Sequence, residues 1–215
     1  MPLLDVLSED AQRIRAVNTV VIASDGTMTG HNTDVRGFMA GFAACGIGLA
    51  GKRTVLIGAG GAARAALWGL LRSGVSSVCI GVRNLAKGKA LCTDFAADGT
   101  LAVYCFDDPH FRDVLCTADI VVQTTPIGMS PQTDAMPPVD PAAISPSAAV
   151  YDLIYTPAET AFLRAAAVHG CTTINGETML VMQGAEAFYL WTGVRPNTDL
   201  MQRALREELA RREGA

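Results

Sequence analysis

Leu3, Leu4, Leu7 and Ile14 recur at helical spacing, with polar Ser8, Glu9, Asp10, Gln12 and Arg13 between them. That pattern predicts an amphipathic helix at the start of the chain, whose apolar face has no evident partner in the residues around it. A β-branched run over 17–22 follows at once, and Asp25-Gly26 within "VNTVVIASDGTMTGHNTD" predicts a hairpin turn. From Asp34, a residue type that caps helices, Phe38, Phe42 and Ala43 predict a helix ending near Gly46 and Gly48. Beyond Gly51 the period changes. Strands are predicted at 54–57, 77–82, 101–106, 119–124, 148–153 and 171–174, and helices at 61–72, 85–95, 109–115 and 159–169. Near-continuous Val/Ile runs alternating with helices imply a parallel sheet covered on both faces. The stretch "SPQTDAMPPVDPAAISPSA" is expected to be neither strand nor helix, and its length suggests a functional loop. Two helices, 177–191 and 198–212, close the chain.

Composition narrows the classes without choosing a function. The 215 residues, half of them apolar and 18% charged, suit a globular chain of one large domain or two small ones. A net charge of -4, with Lys and Arg scattered, argues against nucleic acid as the main partner. The six cysteines form no C-x-x-C pair, and most sit in apolar runs as small hydrophobes, so no metal site is expected. There is no signal-peptide pattern and no run long enough to span a membrane, so a reduced, cytoplasmic setting is the expectation.

Chemistry enters at "TVLIGAGGAARAALWGLL", where an aliphatic strand runs through Gly58, Ala59, Gly60, Gly61, Ala62 and Ala63 into an alanine-rich helix. This is G-x-G-x-x-A in strand–turn–helix context. The first glycine permits the tight turn, the second lets backbone approach a pyrophosphate, and Ala63 allows helix and strand to pack closely. Backbone N–H groups at the helix start complete an anion site. At the tip of the next strand an NAD site would carry Asp or Glu. "CIGVRNLAKGKAL" instead carries Arg83, Lys87 and Lys89, with no acid before Asp94. Cations there favour the 2′-phosphate of NADP.

Six stretches then combine in order: "AVNT" (16–19), "GHNTDVRGF" (30–38), "GAGGAARA", "TTPIGM" (124–129), "YDLIYTPAET" (151–160) and "GETMLVMQGAEAFYLWTG" (176–193). Together they resemble the shikimate dehydrogenase family, from Asp5 onward. Its members interconvert 3-dehydroshikimate and shikimate with NADP(H), and close relatives accept quinate and sometimes NAD. The resemblance implies a Rossmann-type, doubly wound α/β domain over 34–176. It also implies the remnant of a second, smaller α/β substrate domain at 1–33, to which helices over 177–215 return. By the same resemblance Asp34 belongs to the catalytic pair and contacts the reacting hydroxyl region. Asn18 and Gln183 would bind ring hydroxyls, and Tyr155 would approach the substrate from the cofactor domain. Leu153 and Gly176 would line the nicotinamide site, the turn from Gly58 to Ala62 would hold the pyrophosphate, and Arg83, Asn84 and Lys87 the 2′-phosphate. Shikimate or 3-dehydroshikimate is the implied partner.

The chain departs from the family at three places. Arg15 stands where Gly is common, Val82-Arg83-Asn84 where N-R-T is common, and Gln123 where Asn is common. The family's N-V-T-x-P-x-K segment, whose lysine partners the aspartate, would fall upstream of Met1. The expectation is therefore a member lacking most of its substrate domain, with His31 as a weak substitute acid and with impaired turnover. Leu180, Val181, Phe188 and Leu190 of the 177–191 helix would then be exposed and could join two copies in a homodimer. The competing readings are a non-catalytic NADP-binding remnant and a dehydrogenase of the methylenetetrahydrofolate type. "NTD", "MLVMQ" and "LWTG" appearing together disfavour the latter.

Overall fold

A computed structural model describes residues 3–213; the outermost residues of the 1–33 and 177–215 blocks lie outside them. Two sheets organise the chain. The smaller has three strands, β1 (Val6–Leu7), β2 (Thr19–Ile22) and β3 (Met28–His31), in the order β1-β3-β2. β2 and β3 form the hairpin expected around Asp25-Gly26, with Val20 opposite Gly30. The larger is a six-stranded parallel sheet made from β4 (Arg53–Ile57), β5 (Ser77–Val82), β6 (Leu101–Cys105), β7 (Ile120–Gln123), β8 (Ala149–Asp152) and β9 (Thr172–Ile174). Its order, β6-β5-β4-β7-β8-β9, is the doubly wound Rossmann arrangement, and the winding reverses between β4 and β7.

Side-chain alternation explains why both faces are covered. Leu56, Ile80, Ile120 and Val122 enter one core with α2 (Asp34–Ala44), α3 (Gly61–Arg72) and α4 (Leu85–Asp94). Val55, Ile57, Val121 and Val150 enter the other with α5 (Pro109–Thr117) and α6 (Ala161–Val168). Fully buried parallel strands require this two-sided apolar character. Asn84, Asp108 and Thr160 cap α4, α5 and α6 through side-chain oxygens, which fixes where each strand-to-helix turn begins.

The start of the chain differs from the expected helix. Val6 and Leu7 pair with Thr29 and Gly30 as β1, while Leu4 and Leu7 pack over the bare Cα of Gly30. Only α1 (Glu9–Ile14) is helical, capped by Ser8. Nor does α1 lack a partner. Ala11 and Ile14 are buried, the Trp68 indole N–H donates to Asp10 at 2.8 Å, and Arg64 of α3 donates to the Ile14 carbonyl at 2.6 Å. Contact with α3, far along the sequence, covers the face that seemed unpartnered.

The proline-rich stretch contains a single 3₁₀ turn, Pro141–Ala143, capped by Asp140. The final helices are α7 (Glu177–Thr192) and α8 (Thr198–Glu213). α7 is not the exposed apolar helix expected. It packs on α2, Val181 is buried, and Leu180 and Leu190 are half-buried; Phe188 alone of the four is exposed. The Trp191 indole N–H donates to the Val20 carbonyl at 2.9 Å and ties α7 back to the small sheet.

Candidate active site

Two cavities open at the carboxyl ends of the sheet strands, one on each side of Thr125 and Pro126. The first, about 500 Å³, is lined by Gly58, Ala59, Gly60, Arg83, Asn84 and Lys87, with Phe106 and Pro138. Gly58 has φ +111°, and a Cβ there would strike the Thr124 hydroxyl at 2.7 Å, so glycine is required. A Cβ at Gly60 or Gly61 would stand in open space at the start of α3. The turn therefore leaves room against helix N–H groups for a pyrophosphate, and the residues present fit a dinucleotide. Ala63, behind the turn, is fully buried against the sheet. Arg83 and Lys87 are exposed and form no ion pair among the described residues. The Asn84 side-chain oxygen accepts from the Lys87 backbone N–H at 3.1 Å, which leaves its amide N–H groups for a ligand.

The second cavity, about 400 Å³, lies between residues 124–130 and 153–156 and includes Ala62, Leu153 and Tyr155 in its lining. Gly176 does not line it but packs on two residues that do, Leu153 and Ile154, donating from its backbone N–H to the Ile154 carbonyl at 2.9 Å.

A third cluster centres on Asp34. The expectation that Asp34 caps α2 does not hold. Thr33 is the cap residue, and Asp34 is the first helical residue. Asn32 Oδ1 accepts the Asp34 backbone N–H at 3.0 Å, so the capping work falls to Asn32 and the Asp34 carboxylate is released. Asn18 Nδ2 donates to Asp34 Oδ1 at 2.9 Å, and Asn18 Oδ1 accepts from the Thr33 backbone N–H at 3.0 Å. Asn18 thus reads the helix start and holds the acid at once. Burial raises the Asp34 pKa above the ordinary carboxylate range, against the pull of the Asn18 amide. Oδ2 has no partner among the described residues. His31 pairs with Thr19 in the sheet, and its ring makes no hydrogen bond to Asp34.

Gln183 sits on α7 where that helix crosses α2 at Gly37, one turn after Asp34. Between Gly176, beside the second cavity, and Gln183, near Asp34, α7 climbs about 10 Å at its ordinary rise. That helix joins the two clusters.

Sequence reasoning missed three buried polar groups. Glu177 accepts from Arg206 at 2.8 Å and Gln202 at 3.0 Å and so docks α8 on the head of α7. Gln123, noticed only as a departure, is fully buried, as is Asp152. Burial pushes the Asp152 pKa up to about 6, against hydrogen bonds from the Ile154 N–H and the Thr160 hydroxyl. Asp152 stands at the end of the buried strand Ala149–Asp152, after Ala, Val and Tyr, and a carboxylate in such a position was the available signal. Among the described residues no cluster of metal-ligating side chains occurs, and no helix is long and apolar enough to cross a membrane.

Known proteins bear on the arrangement as a whole. Residues 176–206 match the family described as Shikimate 5'-dehydrogenase C-terminal domain. A shikimate dehydrogenase (NADP(+)) of Moorella thermoacetica is 40% identical over 100% of this chain and 72% of its own length. Shikimate 5-dehydrogenase from Listeria monocytogenes, solved in complex with shikimate and NAD, superposes with a TM-score of 0.89 at 31% identity. It covers 95% of this chain and 72% of that one. Quinate dehydrogenase from Corynebacterium glutamicum, solved in complex with NAD, gives 0.88 at 33% identity over 96% and 73%. From its glycine turn to its returning helix, the chain belongs to the shikimate dehydrogenase family.

Proposed function

We propose that this chain binds NADP(H) along the two sheet-edge cavities and serves the reversible reduction of 3-dehydroshikimate to shikimate. The observation that carries this reading is the meeting, in one cavity, of the glycine turn with Arg83, Asn84 and Lys87. The Gly58–Ala62 turn would hold the pyrophosphate, the two cations and Asn84 the 2′-phosphate, and Leu153 and Gly176 the nicotinamide. When bound, the coenzyme supplies the hydride for the ketone carbon or accepts it from the alcohol. Asn18, Tyr155 and Gln183 would orient the ring hydroxyls. Asp34 Oδ2, unpaired among the described residues on a partly buried side chain, would accept the hydrogen bond of the reacting hydroxyl. Partial burial strengthens that acceptor by limiting competing water.

A proton must also reach or leave the substrate oxygen, and a positioned acid there is worth about 10²–10⁴ in rate. The lysines are Lys52, Lys87 and Lys89. Lys52 precedes β4, Lys87 lines the first cavity and Lys89 is exposed on α4. Asn18 is the side chain that Asp34 holds. These 215 residues by themselves should therefore bind coenzyme but oxidise shikimate slowly. A non-catalytic nucleotide-binding module would look the same in binding and show no turnover.

Two measurements test the reading. NADPH titration of the chain and of R83A/K87A should show affinity falling at least about tenfold in the variant, with NADH binding little changed. Equal losses for both coenzymes would remove the 2′-phosphate assignment. NADH bound more tightly than NADPH by the unaltered chain would favour instead a quinate or shikimate dehydrogenase that uses NAD, the coenzyme held in two related structures. Absorbance at 340 nm with shikimate and NADP+ measures turnover, and ordinary dehydrogenase rates would contradict the predicted impairment.

A further inference from the structure

Gln123 and Asp152 are partners in the β7–β8 ladder, side by side at the last register position of their strands. Both are fully buried, and neither is among the residues lining the two cavities of the groove. A polar side chain shut away from water must find partners within the protein. Each finds them in the loop that leaves its own strand. Gln123 Oε1 accepts the Thr125 backbone N–H, and its amide donates to the Thr125 carbonyl at 2.9 Å and the Ile127 carbonyl at 3.1 Å. Asp152 Oδ1 accepts the Ile154 N–H at 3.1 Å, and Oδ2 accepts the Thr160 hydroxyl at 2.8 Å. Thr160 in turn caps α6, so the segment carrying Leu153 and Tyr155 is pinned at both ends. The loops are also laced to one another. The Leu153 N–H donates to the Gln123 carbonyl at 3.0 Å, and the Ser130 N–H to the Thr156 carbonyl at 2.9 Å.

These two loops are the opposing walls of the 400 Å³ cavity. We propose that Gln123 and Asp152 are a matched pair of positioning residues, each fixing one wall of the pocket that receives the nicotinamide half of the coenzyme. This rests on the coenzyme reading of the groove. Neither side chain touches the ligand; both act through loop backbone. A glutamine suits β7 because its amide both accepts and donates, spanning three backbone groups of one tight loop. A carboxylate suits β8 because both of its partners are donors.

The division of the groove supplies the test. Binding of NADPH and of 2′,5′-ADP, which lacks the nicotinamide ribotide, is measured for the chain, Q123M and D152L. NADPH fluorescence reports the nicotinamide environment separately. Q123M keeps the length of the side chain and removes its hydrogen bonds. The expected result is NADPH affinity lowered about tenfold in each variant, with 2′,5′-ADP changed by less than about twofold and the fluorescence change on binding diminished. D152N can still accept from Ile154 and can donate to the Thr160 oxygen, so it should restore NADPH affinity. Should D152L fail to fold, Q123M and D152N decide the matter. Equal weakening of both ligands, or no change in either, would overturn the proposal. Failure of the unaltered chain to bind 2′,5′-ADP would overturn the coenzyme reading itself, and the positioning role with it.

Discussion

Arg15 illustrates how a single residue carries information the chain pattern could only hint at. It ends α1 with φ +59°, a left-handed conformation that costs an L-residue about 1–2 kcal/mol and that glycine adopts freely. The glycine common at this position in the family thus has a backbone cause, and Arg15 adopts the same conformation at a cost. Arg15 also reaches Asp94 at 3.0 Å, but with its side chain 62% exposed such a pair is worth little. R15G should therefore raise stability by about 1 kcal/mol, read from the urea midpoint; a loss of stability would give the ion pair the larger part. Asp152 makes a prediction of the opposite kind. Its folded pKa of about 6 lies above that of an ordinary aspartate, so the fold favours its protonated form. The associated stability, about 3 kcal/mol at most, is fully present below pH 4 or so and is lost as pH rises through about 6. D152N carries no charge to desolvate. The stability difference between D152N and the unaltered chain should grow in favour of D152N from about pH 4 to pH 7; a constant difference would contradict the assigned cause.

At the scale of elements, the crossing of α2 and α7 brings Asp34 and Gln183 near one another, and Gly37 makes it close. A Cβ at Gly37 would meet the Met179 backbone carbonyl at 2.5 Å and Gln183 at 3.1 Å. A backbone atom cannot turn aside as a side chain can, so the helices would have to separate. G37A should cost about 2–3 kcal/mol with an unchanged m-value in urea denaturation, since the defect is overpacking and not a new unfolded state. An effect below about 0.5 kcal/mol would mean that the helices are free to slide apart. Phe38 and Phe42, on the same face of α2, pack around Tyr151 of β8 with ring centroids 5.3 and 5.2 Å from it. The acid-bearing helix is therefore anchored to the large sheet through these rings as well as to α7.

For the whole molecule, the winding reversal between β4 and β7 decides where ligands can enter. Loops from β4 and β5 turn to one side of it and those from β7 and β8 to the other, which leaves a groove at the strand ends. The two cavities flanking Thr125 and Pro126 are the halves of that groove. The small sheet, α1 and the end of α7 form a second body of contacts around Asn18 and Asp34, joined to the first by α2 and α7. Chemistry between the two requires them to hold their spacing. The α1–α3 contacts contribute to that rigidity, through Asp10 with Trp68 and Arg72 and through Arg64 with the Ile14 carbonyl.

Local pattern alone specified the large sheet. Its strands and helices match the expected spans to within a residue or two because buried parallel strands and amphipathic helices write their periods directly into the chain. The glycine turn was legible for the same reason, since its backbone geometry acts on neighbouring residues, and the structure brings it together with the cations after β5 in one cavity. What pattern could not reach were contacts between distant segments. Strand pairing with β3 outweighed the helical spacing of Leu3, Leu4 and Leu7, and Thr33 took the cap position of α2 while Asn18 holds the Asp34 carboxylate. Gln123 and Asp152 acquired their surroundings only when β7 and β8 lay side by side. Propensity is worth tenths of a kcal/mol per residue, whereas burial of a polar group or an apolar face is worth several, so the folded contacts decided these positions.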